Sequence, residues 1–169
     1  MKKKDQDFQE KSSGRKLFKV IGFGNRYMGD DAIGPLIIDE LKKDKTFENN
    51  DHVVLLDCET SGIDLIFMVN ENENIIIIDA IDAGQDVGEI VIFDIDDVDT
   101  FISKDIRSFS MHDIGLAEAF NIMKSMNIKI NARLIGIKPK SIEFGDGLSK
   151  EIELKIPAII KAVKDILAG

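Results

Sequence analysis

The chain has 169 residues and a formal net charge of −9, a length that suits one domain with a single hydrophobic core. This charge argues against general binding to nucleic acid or to an anionic membrane. The sequence shows no secretory signal and no apolar run long enough to cross a bilayer, and its only cysteine, Cys58, excludes an internal disulfide. We expect a cytoplasmic protein, and a monomer, that binds neither nucleic acid nor membranes.

The first part of the chain combines a polar segment with the start of a predicted domain. Residues 1–15 cannot bury enough apolar surface to offset the cost of ordering them, so we expect a mobile tail there. A single domain is predicted to follow over 16–169. It starts with an apolar strand at 17–23, and Pro35 then stands in the first turn of a helix that has an apolar face.

The middle of the chain continues this alternation of strands and helices. A second strand is predicted at 52–58 and a short helix at 63–70. The segment 74–80 contains four consecutive isoleucines, which predicts a strand buried on both faces. A short loop with a glycine then leads to a strand at 89–95, and this connection favours an antiparallel pair with the strand before it.

The last part of the chain is predicted to add two helices and one strand. Residues 113–126 have the apolar spacing of a helix, residues 131–139 form a strand that ends at a proline, and a last helix runs from Ser149 to the end. Strands that alternate with helices predict an α/β three-layer sandwich, with a mostly parallel central sheet of about five strands and helices on both faces.

Polar residues follow several of the predicted strands at their carboxyl ends, where open α/β sheets place their sites. The first strand leads into a glycine loop, GFGNRYMGDDAIGP (22–35), which holds Asp30 and Asp31. The third strand ends at Asp79, and His112 stands just before a predicted helix. These positions are the candidates for a functional site.

The glycine loop does not have the features of a phosphate-binding loop. Tyr27 takes the place of the third glycine of a dinucleotide fingerprint, and the lysine of a P-loop is missing. Carboxylates at a helix start also compete with a phosphate for the same positive end. A nucleotide-binding regulator would need a basic residue here, and Arg26 is the only one inside the loop. The loop is better suited to a cation.

A cation site can be proposed from Asp31, Asp79 and His112, which together offer carboxylate oxygens and an imidazole nitrogen. This is an incomplete ligand set for a divalent ion such as Ni²⁺ or Zn²⁺, with positions left for substrate or water. Simpler roles stay open for each residue. Asp30 or Asp31 could cap the following helix, Asp79 could form a local turn, and His112 could lie on the surface.

Five stretches in this order resemble the [NiFe]-hydrogenase maturation endopeptidases. The resemblance covers nearly the whole chain from about Lys16 onward and depends on the order of the motifs more than on any one of them. The stretches are GFGNRYMGDDAIGP (22–35), IIIIDAID (75–82), GEIVIFD (88–94), SMHDIGL (110–116) and LIGIKP (134–139).

This resemblance implies a small α/β sandwich and a proteolytic function. Members of the family remove a C-terminal peptide from the precursor of the hydrogenase large subunit after nickel has been inserted, so the precursor is the implied partner. Nickel is supplied by that substrate, and other divalent metals could occupy the site. The family's metal-contacting and catalytic positions fall on Asp31, Asp79 and His112. Gly24, Asn25 and Asp30 form the loop expected to approach the substrate.

The activity expected from the resemblance is that of a metal-assisted, aspartyl-type endopeptidase. Water would attack the scissile bond, and one carboxylate or His112 would handle the proton. The family's glycine-rich loop after the second strand reads DCETSG (57–62) here, with Cys58 and Glu59 in place of glycines. Cys58 itself is interpreted as a small apolar filler. Two alternatives stay open: a non-catalytic chaperone for nickel or the precursor, and a peptidase of the same fold that acts on another precursor.

Overall fold

The computed structural model describes residues 16–58, 62–71, 73–95, 107–108, 115–145 and 147–169. Three sequence-based predictions fall outside these ranges. They are the mobile tail at 1–15, the turn that contains Glu59, and the position of His112.

A central sheet is built from five strands close to the predicted ones and one two-residue strand that the sequence did not predict. They are β1 (Phe18–Phe23), β2 (Val53–Cys58), β3 (Asn74–Asp82), β4 (Ile90–Ile95), β5 (Arg107–Ser108) and β6 (Asn131–Ile137). The order across the main sheet is β2–β1–β3–β6–β4. The pairs β1–β2, β1–β3 and β3–β6 are parallel, whereas β4 lies antiparallel to β6 at one edge. The predicted mostly parallel sheet is therefore confirmed.

The predicted pairing of β4 with β3 is wrong. β3 is bordered by β1 on one side and by β6 on the other, and the two-residue β5 pairs with its last residues. No edge of β3 is left for β4 along these residues, so β4 adds to the free side of β6 instead. The backbone hydrogen bond from Gly88 N to Lys138 O, 2.9 Å long, lies where this pairing begins.

Helices cover both faces of the sheet. A 3₁₀ turn (Gly29–Ala32) leads directly into the first helix. The helices are α1 (Ile33–Lys43), α2 (Gly62–Met68), α3 (Leu116–Ser125), α4 (Lys150–Glu153) and α5 (Ile156–Ala168). The single last helix expected from Ser149 is divided in two, and Pro157 lies in the first turn of the second part.

The isoleucines of β3 alternate between two hydrophobic cores, as a strand covered on both faces requires. Ile75 and Ile77 pack in the core beneath α2 and α3. Ile76 and Ile78 pack in the core beneath α1, α4 and α5. Among the described residues, no helix combines the length and the apolar character that a membrane span needs.

The chain reverses its direction across the sheet between β1 and β3. From β1 it passes through α1 to β2 on one side, and then through α2 to β3 on the other side of β1. In open α/β sheets, such a switch of order leaves a crevice outside the carboxyl ends of the two strands. The glycine loop follows β1 at this point, and Asp79 lies near the same end of β3.

Candidate functional site

The glycine loop is held in one conformation by contacts within itself. Gly24 has a φ of +139°, and a Cβ added there would lie 1.9 Å from the backbone oxygen of Asp31. The side-chain oxygen of Asn25 accepts a hydrogen bond of 2.9 Å from the backbone N–H of Tyr27. The glycine thus permits the backbone of Asp31 to come close, and Asn25 closes the turn by bonding local backbone.

Asp31 is fully buried in the 3₁₀ turn that follows the loop. Its Oδ2 accepts a hydrogen bond of 2.9 Å from the backbone N–H of Asn25. Its own N–H donates to the backbone oxygen of Met28 over 3.0 Å. The loop thus holds the side chain of Asp31, and the turn holds its backbone. No side-chain hydrogen bond forms at the N-caps of this turn and of α1. The carboxylate of Asp30 binds residues 140–149 instead, so the capping interpretation is wrong for Asp30.

Asp79 is also fully buried and lies close to this turn. In the parallel register Gly22 of β1 stands opposite Ile78, so Asp79 comes level with the point at which β1 leads into the loop. Cα atoms of the 3₁₀ turn and of β3 approach within 8 Å. The start of α1 rests on both strands, because a Cβ added to Gly34 would lie 2.3 Å from the oxygen of Phe23 and 2.6 Å from that of Ile78.

The structure thus brings two of the three predicted site residues, Asp31 and Asp79, to the same end of the sheet. The burial of two carboxylates is costly unless hydrogen bonds or a cation compensate it. Oxygen donors of this kind suit a divalent metal ion, and Ni²⁺ accepts both oxygen and nitrogen ligands. Among the described residues, no group of three or more potential ligands is assembled. The predicted third ligand, His112, lies outside those residues.

A charged cluster anchors the glycine loop to its neighbours. The guanidinium of Arg26 contacts both carboxylate oxygens of Asp39 on α1, at 2.6 and 3.2 Å. It also pairs with Asp57 at the end of β2. The hydrogen bond from Arg26 and the charge of its guanidinium hold the pKa of Asp39 below its ordinary value, although desolvation opposes the shift.

Asp30 is buried as deeply as its neighbour, but its carboxylate binds a different part of the protein. It accepts hydrogen bonds from the backbone N–H groups of Lys140 (2.8 Å), Ser141 (3.0 Å) and Ser149 (2.6 Å). The hydroxyl of Ser149 adds a fourth, at 2.9 Å. Asp30 therefore joins the 3₁₀ turn to the segment between β6 and α4.

The sequence predicts neither the ion pairs of Arg26 nor the hydrogen bonds of Asp30. It shows Arg26 only as a basic residue in the loop, and the two acidic partners lie 13 and 31 positions further along the chain. The donors to Asp30 lie 110 to 119 positions away. A lone arginine in an acidic loop is a signal for an ion pair, but its spacing does not identify the partner. Cys58 is buried and packs in the core below α2 and α3, as its interpretation as an apolar filler predicted.

A family model described as a hydrogenase maturation protease matches residues 35–166 of this chain. The chain is 30% identical over 150 residues to the hydrogenase expression/formation protein HupD of Rhizobium leguminosarum bv. viciae, which covers 88% of this chain and 72% of that protein. It is 28% identical over 146 residues to the hydrogenase 2 maturation protease of Escherichia coli K12, covering 85% of this chain and 86% of that one.

The fold is also similar to solved structures. The hydrogenase maturating endopeptidase HybD from Escherichia coli superposes with a TM-score of 0.75 at 26% identity, and the match covers 90% of this chain and 92% of that chain. The solution structure of an endopeptidase from the same organism gives a TM-score of 0.73 at 26% identity, covering 87% and 89%.

Proposed function

We propose, because this chain belongs to the hydrogenase maturation protease family, that it removes the C-terminal peptide from the nickel-loaded precursor of the large subunit of a [NiFe] hydrogenase. The chain is a hydrolase, an endopeptidase of hydrogenase maturation.

The observation that carries the proposal is that two buried carboxylates lie at the same end of the sheet, beside its switch point. Asp31 and Asp79 come from separate segments and are both fully buried. The first follows β1 and the second lies in β3, at the point where the strand order reverses. A peptidase needs polar groups in fixed positions near the scissile bond, and this crevice supplies them on rigid elements.

Nickel would enter this site as a part of the substrate. Two carboxylates at one end of a sheet repel each other, and a doubly charged ion relieves that repulsion. A precursor that carries nickel would therefore bind better than one that lacks it, because only the loaded form brings the compensating charge. His112 is the third proposed ligand, from the family resemblance.

The chemistry proposed for the site is the addition of water to the scissile carbonyl. As the new carbon–oxygen bond forms, a carboxylate of Asp31 or Asp79, or the imidazole of His112, accepts the proton of the water. The carbon–nitrogen bond then breaks, and the same proton passes to the leaving amine. Nickel in the precursor would polarise the carbonyl or hold it in place.

The function is tested by mixing the full chain with a large-subunit precursor prepared with nickel and without it. Intact mass spectrometry of the precursor is the readout. We expect a mass loss that corresponds to one C-terminal peptide, in the nickel-loaded sample only. A loaded precursor that binds the chain and keeps its full mass would contradict the proposal and favour a chaperone. Equal cleavage of both samples would contradict the role of nickel.

A further inference from the structure

The segment that follows β6 is fastened to the turn that carries Asp31. We call residues 138–145 the latched loop. Two of the four donors to Asp30 belong to it, namely the N–H groups of Lys140 and Ser141. The other two belong to Ser149, just before α4. A buried carboxylate with several backbone donors forms strong, charge-assisted hydrogen bonds, so the latched loop has a defined position.

Backbone contacts extend this attachment towards the glycine loop. The N–H of Asp30 donates to the oxygen of Ser141 over 2.9 Å. The N–H of Gly145 donates to the oxygen of Tyr27 over 3.0 Å, and Met28 forms an isolated β-bridge with Gly145. The latched loop thus lies along residues 27–30, immediately before Asp31.

The latched loop also begins next to the second buried aspartate. In the β3–β6 register Asp79 stands opposite Gly136 and Ala80 opposite Ile137. Residue 138 therefore leaves the sheet beside the end of β3, and the loop then crosses to the turn that holds Asp30. It therefore connects the end of β6, beside β3, with the turn that follows β1.

Two large aromatic side chains are exposed where the latched loop meets the glycine loop. The side chain of Phe144 is 83% exposed and that of Tyr27 is 63% exposed. Phe144 directly precedes Gly145, whose N–H donates to the backbone oxygen of Tyr27, so the two aromatic residues belong to adjacent backbone segments. Rigid aromatic residues supply much of the binding energy in protein interfaces, and a fixed backbone lowers the entropy lost on binding.

We propose that the latched loop is a fixed wall of the substrate cleft, where Phe144 and Tyr27 contact an apolar side chain of the precursor near its cleavage site. Asp30 is the positioning residue that holds this wall beside Asp31. This inference rests on the proposed function, because the occupant it names is the precursor of that reaction. It gives Asp30 a role through the loop that it binds, rather than in the chemistry.

The wall is tested first by Phe144→Ala, because truncation of a side chain so exposed leaves the core intact. Phe67→Ala is the matched control. Phe67 is 82% exposed, but it lies near the end of α2, on the way to the amino end of β3. In steady-state cleavage of the nickel-loaded precursor, we expect Phe144→Ala to raise KM about tenfold and to change kcat less than about twofold. Phe67→Ala should match the wild type.

Asp30 is tested by Asp30→Asn, since the amide cannot accept all four hydrogen bonds. We expect Asp30→Asn to raise KM about tenfold. In the double variant Asp30→Asn/Phe144→Ala, KM should rise by less than the product of the two single effects, because both substitutions act through the same loop. Thermal melting separates a folded variant from an unfolded one. Should Asp30→Asn fail to fold, Phe144→Ala still decides whether the wall binds the precursor.

Two results would overturn this inference without affecting the proposed function. One is cleavage by Phe144→Ala with the KM of the wild type. The other is a fully multiplicative effect of the two substitutions in folded proteins, which would mean that Asp30 does not act through Phe144. If the wild-type chain leaves the loaded precursor intact, the proposed function itself fails, and the comparison of variants loses its basis.

Discussion

Asp30 and Asp31 are adjacent in the sequence, yet their carboxylates have different surroundings. Asp31 accepts a hydrogen bond from the glycine loop and lies near β3. Asp30 accepts four hydrogen bonds from residues 140–149. A short 3₁₀ turn can point consecutive side chains in different directions. The pair therefore serves two purposes from one turn, with one carboxylate near the candidate site and the other holding the loop beside it.

Gly24 sets the path of the backbone next to Asp31, and its replacement tests that role. A methyl group in Gly24→Ala would meet the oxygen of Asp31 at 1.9 Å, at a φ of +139° that L-residues rarely adopt. We expect the free energy of unfolding to fall by about 3 kcal/mol or more, from backbone strain and overpacking together. Urea denaturation monitored by circular dichroism measures it.

Gly84→Ala is the control for this substitution. Gly84 also has a positive φ, +87°, but a Cβ there would have nothing within 4 Å. The free energy of unfolding should therefore fall in Gly84→Ala only by the contribution of backbone strain, about 1 kcal/mol. An equal fall in the free energy of unfolding of the two variants would show that the close contact between residue 24 and Asp31 adds nothing to the cost of Gly24→Ala.

At the scale of elements, the sequence predicted what depends on local patterns. The four isoleucines of β3 gave a buried strand, and its neighbours on both sides were found within a few residues of their observed bounds. The partner of β4 was not predictable in this way, because it depends on which edges of β3 are already occupied. The bonds of Asp30 are similarly non-local, since they join residues more than 100 positions apart.

The cluster of Arg26, Asp39 and Asp57 joins three elements, and its contribution to stability should depend on pH. Arg26 lowers the pKa of Asp39 below its ordinary value of 3.8. A carboxyl with a lowered pKa in the folded state stabilises it above pH 3.8, and this contribution is lost as the pH falls through the folded pKa. Arg26→Gln removes the largest cause of the lowered pKa and leaves the smaller contributions of Lys42 and Lys43. The melting temperature should therefore fall less steeply with acid below pH 3.8 than in the wild type.

Lys161→Gln is the control for this comparison, because Lys161 pairs with Asp165 on the exposed face of α5. Such surface pairs contribute little to stability. The melting temperature of Lys161→Gln should therefore fall with acid as steeply as that of the wild type. The measurement is the melting temperature from pH 2 to pH 7 at low salt. An unchanged slope in Arg26→Gln would show that the pair with Asp39 does not stabilise the fold.

At the scale of the whole molecule, the strand order explains why the candidate site lies where it does. The two connections that follow β1 and β2 run over opposite faces of the sheet, since α1 packs on one core and α2 on the other. The crevice between them opens beside the ends of β1 and β3. Asp31, Asp79 and the latched loop all lie at this end of the sheet, while family membership identifies the reaction as proteolysis.

The central claim is that Asp79 takes part in cleavage, and the rate of precursor processing by Asp79→Asn tests it most directly. Asp94→Asn is the control, because Asp94 is an exposed partner of Arg133 at the edge of the sheet. Intact mass spectrometry follows the loss of the C-terminal peptide, and thermal melting confirms that each variant is folded. We predict a rate at least about 100-fold lower in folded Asp79→Asn and an unchanged rate in Asp94→Asn. Processing by folded Asp79→Asn at the wild-type rate would contradict the account.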